Sequence, residues 1–493
     1  MKIKFFLFVS MLSMSFAFGQ SEKDRVLETV NKSTIQGHIY FLADDLLKGR
    51  ETGTAENKIA ASYLANTLRS YGVKPNPLTG DYYQEVNLLK VEAPKRLTLS
   101  IDGVELKNKV AIQSKMMKIT GDLVFMGHGL EDDYKGQNLS KKVVVIKAGS
   151  AEAPGVRSAF GMRSKKAELA KKAGAVGIIE LIKTDANTWG FIEHNFNSAR
   201  LEVAKSKEDY IKDKNQVPYL WVQDEYGTMA LDMPNGKHTV AWNMDADNKS
   251  EIKSQNVIGV VEGTDPKLKN EYIIYSAHYD HVGIGEPDET GDVIYNGARD
   301  NAVGTTTVLS MAESLAKYPT KRSALFILFT GEEKGLLGSK YYVDNPVLPL
   351  SQMVYCFNSD NAGYNDTSLA TIIGLPRTTA EKNIKDAVAA FGLTAVDDPA
   401  PEQGLFDRSD NVNFAAKGIP APTFSLGFTA FNGDVTKYYH QPGDHADNMD
   451  YEYLEKFFRA YVFAGRKIGN DPVTPVWTKG DKYEEVSKKL YQK

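Results

Sequence analysis

The run Ser-Ala-Leu-Phe-Ile-Leu-Phe-Thr-Gly-Glu-Glu, residues 323–333, decides the fold class. Residues 323–330 are almost continuously apolar, which is typical of a strand that is buried on both faces of a parallel sheet. The run ends in two carboxylates, Glu332 and Glu333, so a buried strand leads directly to charged side chains. This pattern predicts a sheet with helices on both faces and polar groups at the carboxyl ends of its strands.

The sequence on either side repeats the alternation of strand and helix. Apolar, β-rich runs predict strands over 257–261, 272–277 and 353–357. The helical spacing of apolar residues predicts helices over 302–318 and 451–468. We therefore expect an α/β fold with a mostly parallel central sheet flanked by helices.

The chain has 493 residues, too many for one ordinary core, so two domains are expected. Residues 21–89 have a helical pattern, whereas residues 91–247 contain short strands and one helix and predict a smaller α/β module. The polar residues 245–254 are expected to form the linker that leaves this module. The predicted boundaries are a signal peptide at 1–19, a discontinuous main domain at 20–90 and 251–475, an inserted domain at 91–250, and a carboxyl-terminal tail at 476–493.

The amino terminus has the pattern of a signal peptide. Lys2 and Lys4 precede an apolar run at 5–18, and small residues near its end predict cleavage before Gln20. The run is too short and too rich in serine for a membrane-spanning helix, and no second run of spanning length follows. We expect a periplasmic or secreted protein that keeps no stable membrane anchor after cleavage.

Composition narrows the possible partners. The formal net charge is −4, and no Lys- or Arg-rich run is present, so a nucleic-acid partner is not expected. Hydrophobic residues make up 42% and charged residues 25%, as in ordinary soluble globular proteins. The single cysteine, Cys356, excludes an intramolecular disulfide and is expected to be a small buried hydrophobic residue. Composition does not predict the oligomeric state.

Polar side chains follow the predicted strands. His278 and Asp280 come after the strand at 272–277, Asp360 comes after the strand at 353–357, and Glu332 and Glu333 follow the run quoted above. Loops at the carboxyl ends of parallel strands form the binding crevice of an open α/β sheet. Carboxylates in one crevice repel each other unless a metal cation neutralises them. Histidine and carboxylate without cysteine favour zinc, or less often manganese or cobalt, whereas calcium takes only oxygen ligands.

Five segments resemble the co-catalytic zinc exopeptidase family that contains the bacterial leucyl aminopeptidases and the glutamate carboxypeptidases. Each segment is weak alone, but the five in this order are specific. They are His-Tyr-Asp-His-Val-Gly at 278–283, Asn-Gly-Ala-Arg-Asp-Asn-Ala-Val-Gly at 296–304, Thr-Gly-Glu-Glu-Lys-Gly-Leu-Leu-Gly-Ser at 330–339, Asn-Ser-Asp at 358–360, and Tyr-His-Gln-Pro-Gly-Asp at 439–444.

This resemblance implies two zinc ions and a role for each site residue. It places His278 and Asp360 on one zinc, Glu333 and His440 on the other, and Asp300 as the bridge between them. It implies that Glu332 is the general base for a water molecule shared by the two zinc ions. Asp280 is expected to orient the His278 imidazole through its second nitrogen.

Further residues and segments carry weaker expectations. Tyr439 is a candidate hydrogen-bond donor to the oxyanion, with simple packing as the alternative. His281 is expected to be a solvated loop residue, with support of a metal ligand as the alternative, and Asp444 is expected to be a turn or supporting residue. The run Gly-Arg-Glu-Thr-Gly-Thr at 49–54 looks like the amino-terminal entry of secreted family members. The inserted module resembles a protease-associated domain, expected to be a lid, a partner-binding module or a neutral spacer.

Two positions depart from the family pattern. Asn411 stands where the family usually has histidine, and Ser359 and Asn361 flank Asp360 where the family usually has apolar residues. None of these three residues is an expected zinc ligand. The departures therefore put the specificity of the substrate pocket in doubt more than the activity.

The resemblance implies an exopeptidase that acts on peptide substrates, with release of amino-terminal residues as the leading hypothesis. A glutamate carboxypeptidase type remains open and would need a basic pocket for two carboxylates, for which Arg299 and Arg408 are the candidates. A glutaminyl cyclase shares the fold but uses one zinc, and a binding relative would have lost its metals. The complete ligand set and Glu332 argue against these last two alternatives.

Overall fold

The computed structural model describes residues 20–204 and 216–492. The predicted signal peptide at 1–19 lies outside these residues. The chain divides into two compact units, one formed by the residues up to Glu85 together with those from Gln255 onward, and the other by Val86–Ser254. Within the described ranges, no helix combines the length and the apolar character needed to cross a membrane.

The first unit is built around a mixed sheet whose central strands are parallel. The strand Asn248–Val261 pairs antiparallel beside this centre, and Leu369–Ile373 pairs antiparallel on the other side. The expected α/β fold is therefore confirmed, with a parallel centre and antiparallel pairings towards the edges. The central strands, in sheet order, are Thr423–Leu426, Met353–Ser359, Tyr272–His278 and Ser323–Phe329.

Helices cover both faces of this sheet, as its apolar strands require. On one face, Phe357 stacks on Tyr461 of a long helix, with ring centroids 4.7 Å apart. On the other face, Cys356 shares a buried cluster with Tyr342 and Phe414, and burial raises the pKa of its thiol to about 12. The helices of this unit are Glu22–Thr29, Lys32–Leu42, Ala55–Ser70, Gly304–Lys317, Leu337–Asp344, Glu381–Ala389, Asn411–Ala416, Gly433–Thr436, Tyr451–Asn470 and Glu484–Tyr491.

The second unit has its own sheet and its own core. Its helices are Val156–Lys172, Ala186–Asn197 and Thr228–Asp232. A fully buried ion pair joins Lys166 to Glu180 at 2.5 Å, and the Tyr219 hydroxyl donates to the same carboxylate at 2.6 Å. The strands, in sheet order, are Val104–Glu105, Leu97–Ile101, His238–Met244, Met117–Phe125, Val143–Lys147, Gly177–Ile182, Tyr219–Gln223 and Lys109–Gln113.

Two sequence predictions about backbone structure are wrong. Residues 245–254, expected to be a linker, lie largely in the strand Asn248–Val261. Most side chains of this part are exposed, so their polarity indicated solvent contact rather than the absence of strand pairing. The helical pattern assigned up to residue 89 also fails, because Tyr83–Glu92 is a strand with a largely alternating burial pattern.

Candidate active site and metal centre

Three adjacent parallel strands end at the site. His278 is the last residue of Tyr272–His278, Glu332 and Glu333 follow Ser323–Phe329, and Asp360 directly follows Met353–Ser359. Since the strand Tyr272–His278 pairs with both of the others, the three carboxyl ends meet at one edge of the sheet. The sheet topology therefore brings the imidazole and the carboxylates together.

The remaining two site residues come from loops. Asp300 lies just before the helix Gly304–Lys317, and its peptide bond to Asn301 is cis. Asp444 fixes this loop, because its carboxylate accepts the backbone N–H of Arg299 at 2.9 Å and that of Asp300 at 3.2 Å. His440 lies after the short helix Gly433–Thr436.

The two oxygens of Asp300 face two different histidines. Oδ1 of Asp300 lies 3.4 Å from Nε2 of His278, and Oδ2 lies 3.2 Å from Nε2 of His440. Each histidine also faces a second carboxylate: Asp360 lies 3.2 Å from His278, and Glu333 lies 3.1 Å from His440. The site thus consists of two histidine–carboxylate pairs that share the Asp300 carboxylate.

The donor atoms fit a pair of metal ions. His278, Asp300 and Asp360 form one group of possible ligand atoms, and Asp300, Glu333 and His440 belong to a second. Nε2 of His440 is buried and makes no hydrogen bond, although two carboxylate oxygens lie within 3.2 Å of it. An imidazole nitrogen that faces two carboxylate oxygens without a hydrogen bond, as His440 does, is the arrangement expected of ligands around a cation. Mixed imidazole and carboxylate donors suit zinc.

Charge couples the members of this cluster in the metal-free state. Burial opposes the charged form of His440, but Asp300 and Glu333 raise its pKa to about 10. Burial likewise opposes protonation of His278, whose pKa the Asp360 and Glu332 carboxylates raise well above its usual value. Burial favours the neutral form of Asp300, but the histidines that face it outweigh this effect and hold its pKa well below its usual range.

Asp280 is fully buried and connects the loops that carry the cluster. Its carboxylate accepts the backbone N–H of Glu332 at 3.2 Å, that of Glu333 at 3.4 Å, and the Thr52 hydroxyl at 2.8 Å. Nδ1 of His278 lies 3.2 Å from the Asp280 carbonyl oxygen but 3.8 Å from its carboxylate. Asp280 therefore contacts the imidazole through its backbone, and its carboxylate holds the Glu332–Glu333 turn.

Glu332 lines the pocket beside the cluster. Burial raises the pKa of its carboxyl well above the usual value, against the effect of His278, and Asp360 and Glu333 raise it further. The Asp280 carboxylate accepts the backbone N–H of Glu332, so the backbone that carries the Glu332 side chain is held in place. This is the position and the chemistry of a candidate general base.

The segment at 49–54 proves to be part of the site's support. The buried Arg50 guanidinium donates to the carbonyl oxygens of Tyr279 at 2.8 Å, Asn296 at 2.6 Å and Gly297 at 3.1 Å, and also to that of Leu42. Tyr279 lies next to His278, and Gly297 lies in the loop that leads to Asp300. Arg50 thus fixes both loops at their backbones, a role that its turn-like sequence did not indicate.

The expectation that His281 is a solvated loop residue is wrong. Its side chain is fully buried, and Nδ1 lies 2.7 Å from Oε1 of Glu333. His281 also belongs to the group of possible metal-binding side chains formed by Asp300, Glu333 and His440. The sequence signal was present in His-Tyr-Asp-His, but residue type alone could not show which way the loop turns.

Two residues near the site have structural partners. Arg299 is buried, donates to the Asp444 carboxylate at 2.9 Å, and lies under the Tyr438 ring at 3.9 Å. Arg299 is therefore committed to an internal ion pair, and Asp444 supports the Asp300 loop. Asn411 is also buried and donates to the carbonyl oxygens of Phe406 and Ala421, both at 3.1 Å, so it anchors backbone.

A pocket that is partly open to solvent lies beside the cluster. Tyr439 lines it and stacks on the His440 ring with centroids 4.0 Å apart, and burial raises the pKa of its hydroxyl. Asn361, one of the departures from the family pattern, also lines the pocket. The other side chains at the wall include Ala362, Ile373, Leu405, Arg408, Ser409, Thr423, Ser425, Phe428 and Phe431.

Comparison with known sequences shows which family the site-bearing segment resembles. Residues 256–464 match the sequence model of peptidase family M28. The matched segment contains the three strand ends, the Asp300 loop and His440. Over these residues the chain is similar to peptidase family M28.

Individual relatives extend the similarity beyond that segment. Aminopeptidase YwaD of Bacillus subtilis is 31% identical over 211 residues, which are 41% of this chain and 42% of YwaD, so the chain matches less than half of that relative. The probable leucine aminopeptidase 2 of Aspergillus oryzae is 24% identical over 406 residues, which are 76% of this chain and 72% of that protein.

Solved structures share the fold over nearly the whole chain. The aminopeptidase from Aneurinibacillus sp. strain AM-1 has a TM-score of 0.61 at 22% identity, covering 92% of this chain and 97% of that one. The zinc aminopeptidase BSAP from Bacillus subtilis has a TM-score of 0.50 at 21% identity, with the same coverage of 92% and 97%. At this identity the similarity concerns the fold.

Proposed function

We propose that this protein is an exported, zinc-dependent aminopeptidase that hydrolyses the amino-terminal peptide bond of peptides. The similarity to family M28 supports a peptidase, and the relatives named as aminopeptidases support cleavage at the amino terminus of the substrate. The observation that carries the proposal is the Asp300 carboxylate, whose two oxygens face separate histidine–carboxylate pairs beside the pocket that Glu332 lines.

The proposed metal content is two zinc ions. Each ion would have three protein ligands and an open position, which is the usual form of a catalytic zinc site. When bound, zinc polarises a substrate carbonyl and lowers the pKa of water towards neutrality. The proposed ligands are His278 and Asp360 for one ion, Glu333 and His440 for the other, and Asp300 for both.

Glu332 is the proposed general base. Its carboxylate takes a proton from the attacking water and transfers it to the leaving amine. Burial, Asp360 and Glu333 hold its pKa high, and bound zinc would favour the ionised form that a base requires. Tyr439, stacked on His440 at the pocket wall, is positioned to donate its hydroxyl to the oxyanion.

The site residues argue against each of the competing functions for a different reason. A carboxypeptidase for carboxyl-terminal acidic residues needs cations for two carboxylates, but Arg299 is paired with Asp444, which leaves Arg408 at the pocket. A cyclase with one zinc would not need Asp300 between two histidines. A binding relative would not be expected to retain Glu332 with its backbone held by Asp280.

Export to the periplasm or the medium is proposed from the pattern at residues 1–19, where a basic start, an apolar run and small residues occur in order. The proposed partners are peptides, without nucleic acid and without a retained membrane anchor. The inserted module at 91–250 is proposed as a lid or spacer.

The test follows a peptide mixture by mass spectrometry, with each peptide present in free and in amino-terminally acetylated form. Zinc-loaded wild-type protein should shorten only the free peptides, one residue at a time from the amino terminus. Glu332→Gln, which keeps the proposed zinc ligands, is the matched control and should leave both sets intact. Trimming of both sets from the carboxyl end would instead indicate a carboxypeptidase, and no cleavage would refute the peptidase.

A further inference from the structure

The wall of the pocket contains both apolar and polar side chains. Ile373, Leu405, Phe428 and Phe431 supply the apolar part. Arg408 lies in the same wall, with its guanidinium carbon 5.9 Å from the centre of the Phe431 ring. The pocket therefore contains a positive charge that the proposed cleavage chemistry does not use.

This guanidinium has no carboxylate partner within the described part of the chain. Its neighbour Asp407 pairs with Lys482 at 3.0 Å, and the other candidate cation, Arg299, forms an ion pair with Asp444. The acidic cluster lines the same pocket, yet none of its carboxylates forms an ion pair with Arg408. A cation that is left unpaired beside several anions is available to a ligand.

Hydroxyl groups in the same wall add hydrogen-bond donors. Ser409, Thr423 and Ser425 line the pocket and are at least 95% buried. Asn358 donates to the hydroxyl oxygens of Ser409 at 2.9 Å and Thr423 at 3.3 Å. Because both oxygens accept from Asn358, their O–H groups remain to donate, and no described side chain takes these hydrogen bonds.

We propose that Arg408 is a specificity-determining residue that binds one carboxylate of the substrate. The inference rests on the proposed peptidase function and narrows its substrates. A single unpaired guanidinium matches a single carboxylate, and its planar fork suits that group. The carboxylate is either the side chain of an acidic amino-terminal residue or the free α-carboxylate of a dipeptide.

The expected effect appears in substrate binding. Removing a charged hydrogen bond at a partly solvated site should weaken productive binding of carboxylate substrates about tenfold. Since the contact exists before and during bond cleavage, KM should rise while kcat stays nearly constant. Substrates that lack the carboxylate should be unaffected.

Two matched substrate pairs separate the two sources of the carboxylate. Glu-p-nitroanilide and Gln-p-nitroanilide differ in the side chain, whereas Leu-Leu and Leu-Leu-amide differ at the carboxyl terminus. Zinc-loaded wild type is compared with Arg408→Gln and with Lys437→Gln. Lys437 is exposed and follows the helix Gly433–Thr436, so its variant removes one positive charge from the same region without changing the pocket wall.

A tenfold rise in KM for Glu-p-nitroanilide alone, confined to Arg408→Gln, would identify an acidic amino-terminal residue as the source. The same change for Leu-Leu alone would identify the α-carboxylate of dipeptides. Equal kinetics of wild type and Arg408→Gln on both carboxylate substrates would overturn the proposal. If wild type cleaves none of the four, the peptidase proposal fails, and calorimetric binding of glutamate against glutamine to both proteins still decides the role of Arg408.

Discussion

Thr52→Val isolates the support that the amino-terminal segment gives to the metal cluster. Valine keeps the shape of threonine and removes only the hydroxyl that donates to Asp280 at 2.8 Å. Both side chains are buried, at 4% and 0% exposure, so water cannot replace the lost donor. Asp280 would retain only the weaker N–H contacts from Glu332 and Glu333.

A hydrogen bond to a buried charged group contributes about 1.5–3 kcal/mol, which corresponds to about 10- to 100-fold in an equilibrium constant. Because Asp280 holds the turn that carries Glu333, we expect part of this loss in zinc affinity. Outer partners of metal ligands typically change affinity by about 10- to 100-fold when removed. Thr52→Val should therefore weaken zinc binding about tenfold.

The assay is competition with a chromogenic zinc chelator, combined with denaturant unfolding of the metal-free proteins. Thr307→Val is the matched control, because Thr307 is equally buried but its hydroxyl donates to the helical carbonyl of Gly304. The control should retain wild-type zinc affinity. Zinc affinity of Thr52→Val within about twofold of wild type, whatever its stability, would refute the role assigned to this contact.

Three further predictions concern the cluster itself. Asp300→Asn should reduce zinc content at both positions, since only Asp300 faces both histidines, and two full equivalents by metal analysis would contradict the bridge. Glu332→Gln should keep its zinc and lose about 10²–10⁴-fold in kcat, so a rate within about tenfold of wild type would exclude it as the base. Zinc affinity should rise with pH up to about 10, because zinc must displace the protons that the carboxylates hold on His278 and His440. Calorimetry in buffers of different ionisation enthalpy counts these protons, and an affinity independent of pH would refute the coupling.

The sequence alone was sufficient to predict the site residues that follow the ends of strands. An almost continuous apolar run predicts a parallel strand that is covered by helices on both faces. The carboxyl ends of such strands lie at the same edge of the sheet, so His278, Glu333 and Asp360 were predicted to lie together. Asp300 and His440 are in loops, and no periodicity points to them. They were assigned by resemblance to a family, which is a different kind of argument from one based on spacing.

The sequence was insufficient to predict the role of residues whose role depends on the direction of the side chain. His281 was expected in solvent, but the loop turns its ring to Glu333. Arg299 was a candidate for the basic pocket of the alternative carboxypeptidase, but it pairs with Asp444. Residues 245–254 show the same limitation, because polarity reports exposure and not backbone hydrogen bonding. Each of these errors concerns a long-range contact that a local pattern does not encode.

The Arg50 contacts have a consequence for the order in which the molecule is made. The guanidinium reaches the Tyr279 carbonyl across 229 positions of sequence and the Gly297 carbonyl across 247. Synthesis must therefore pass Gly297 before Arg50 can fix both loops, and contacts so distant in sequence are slow to close during folding. We therefore expect the proposed zinc ligands to reach their common geometry only after these distant contacts have formed.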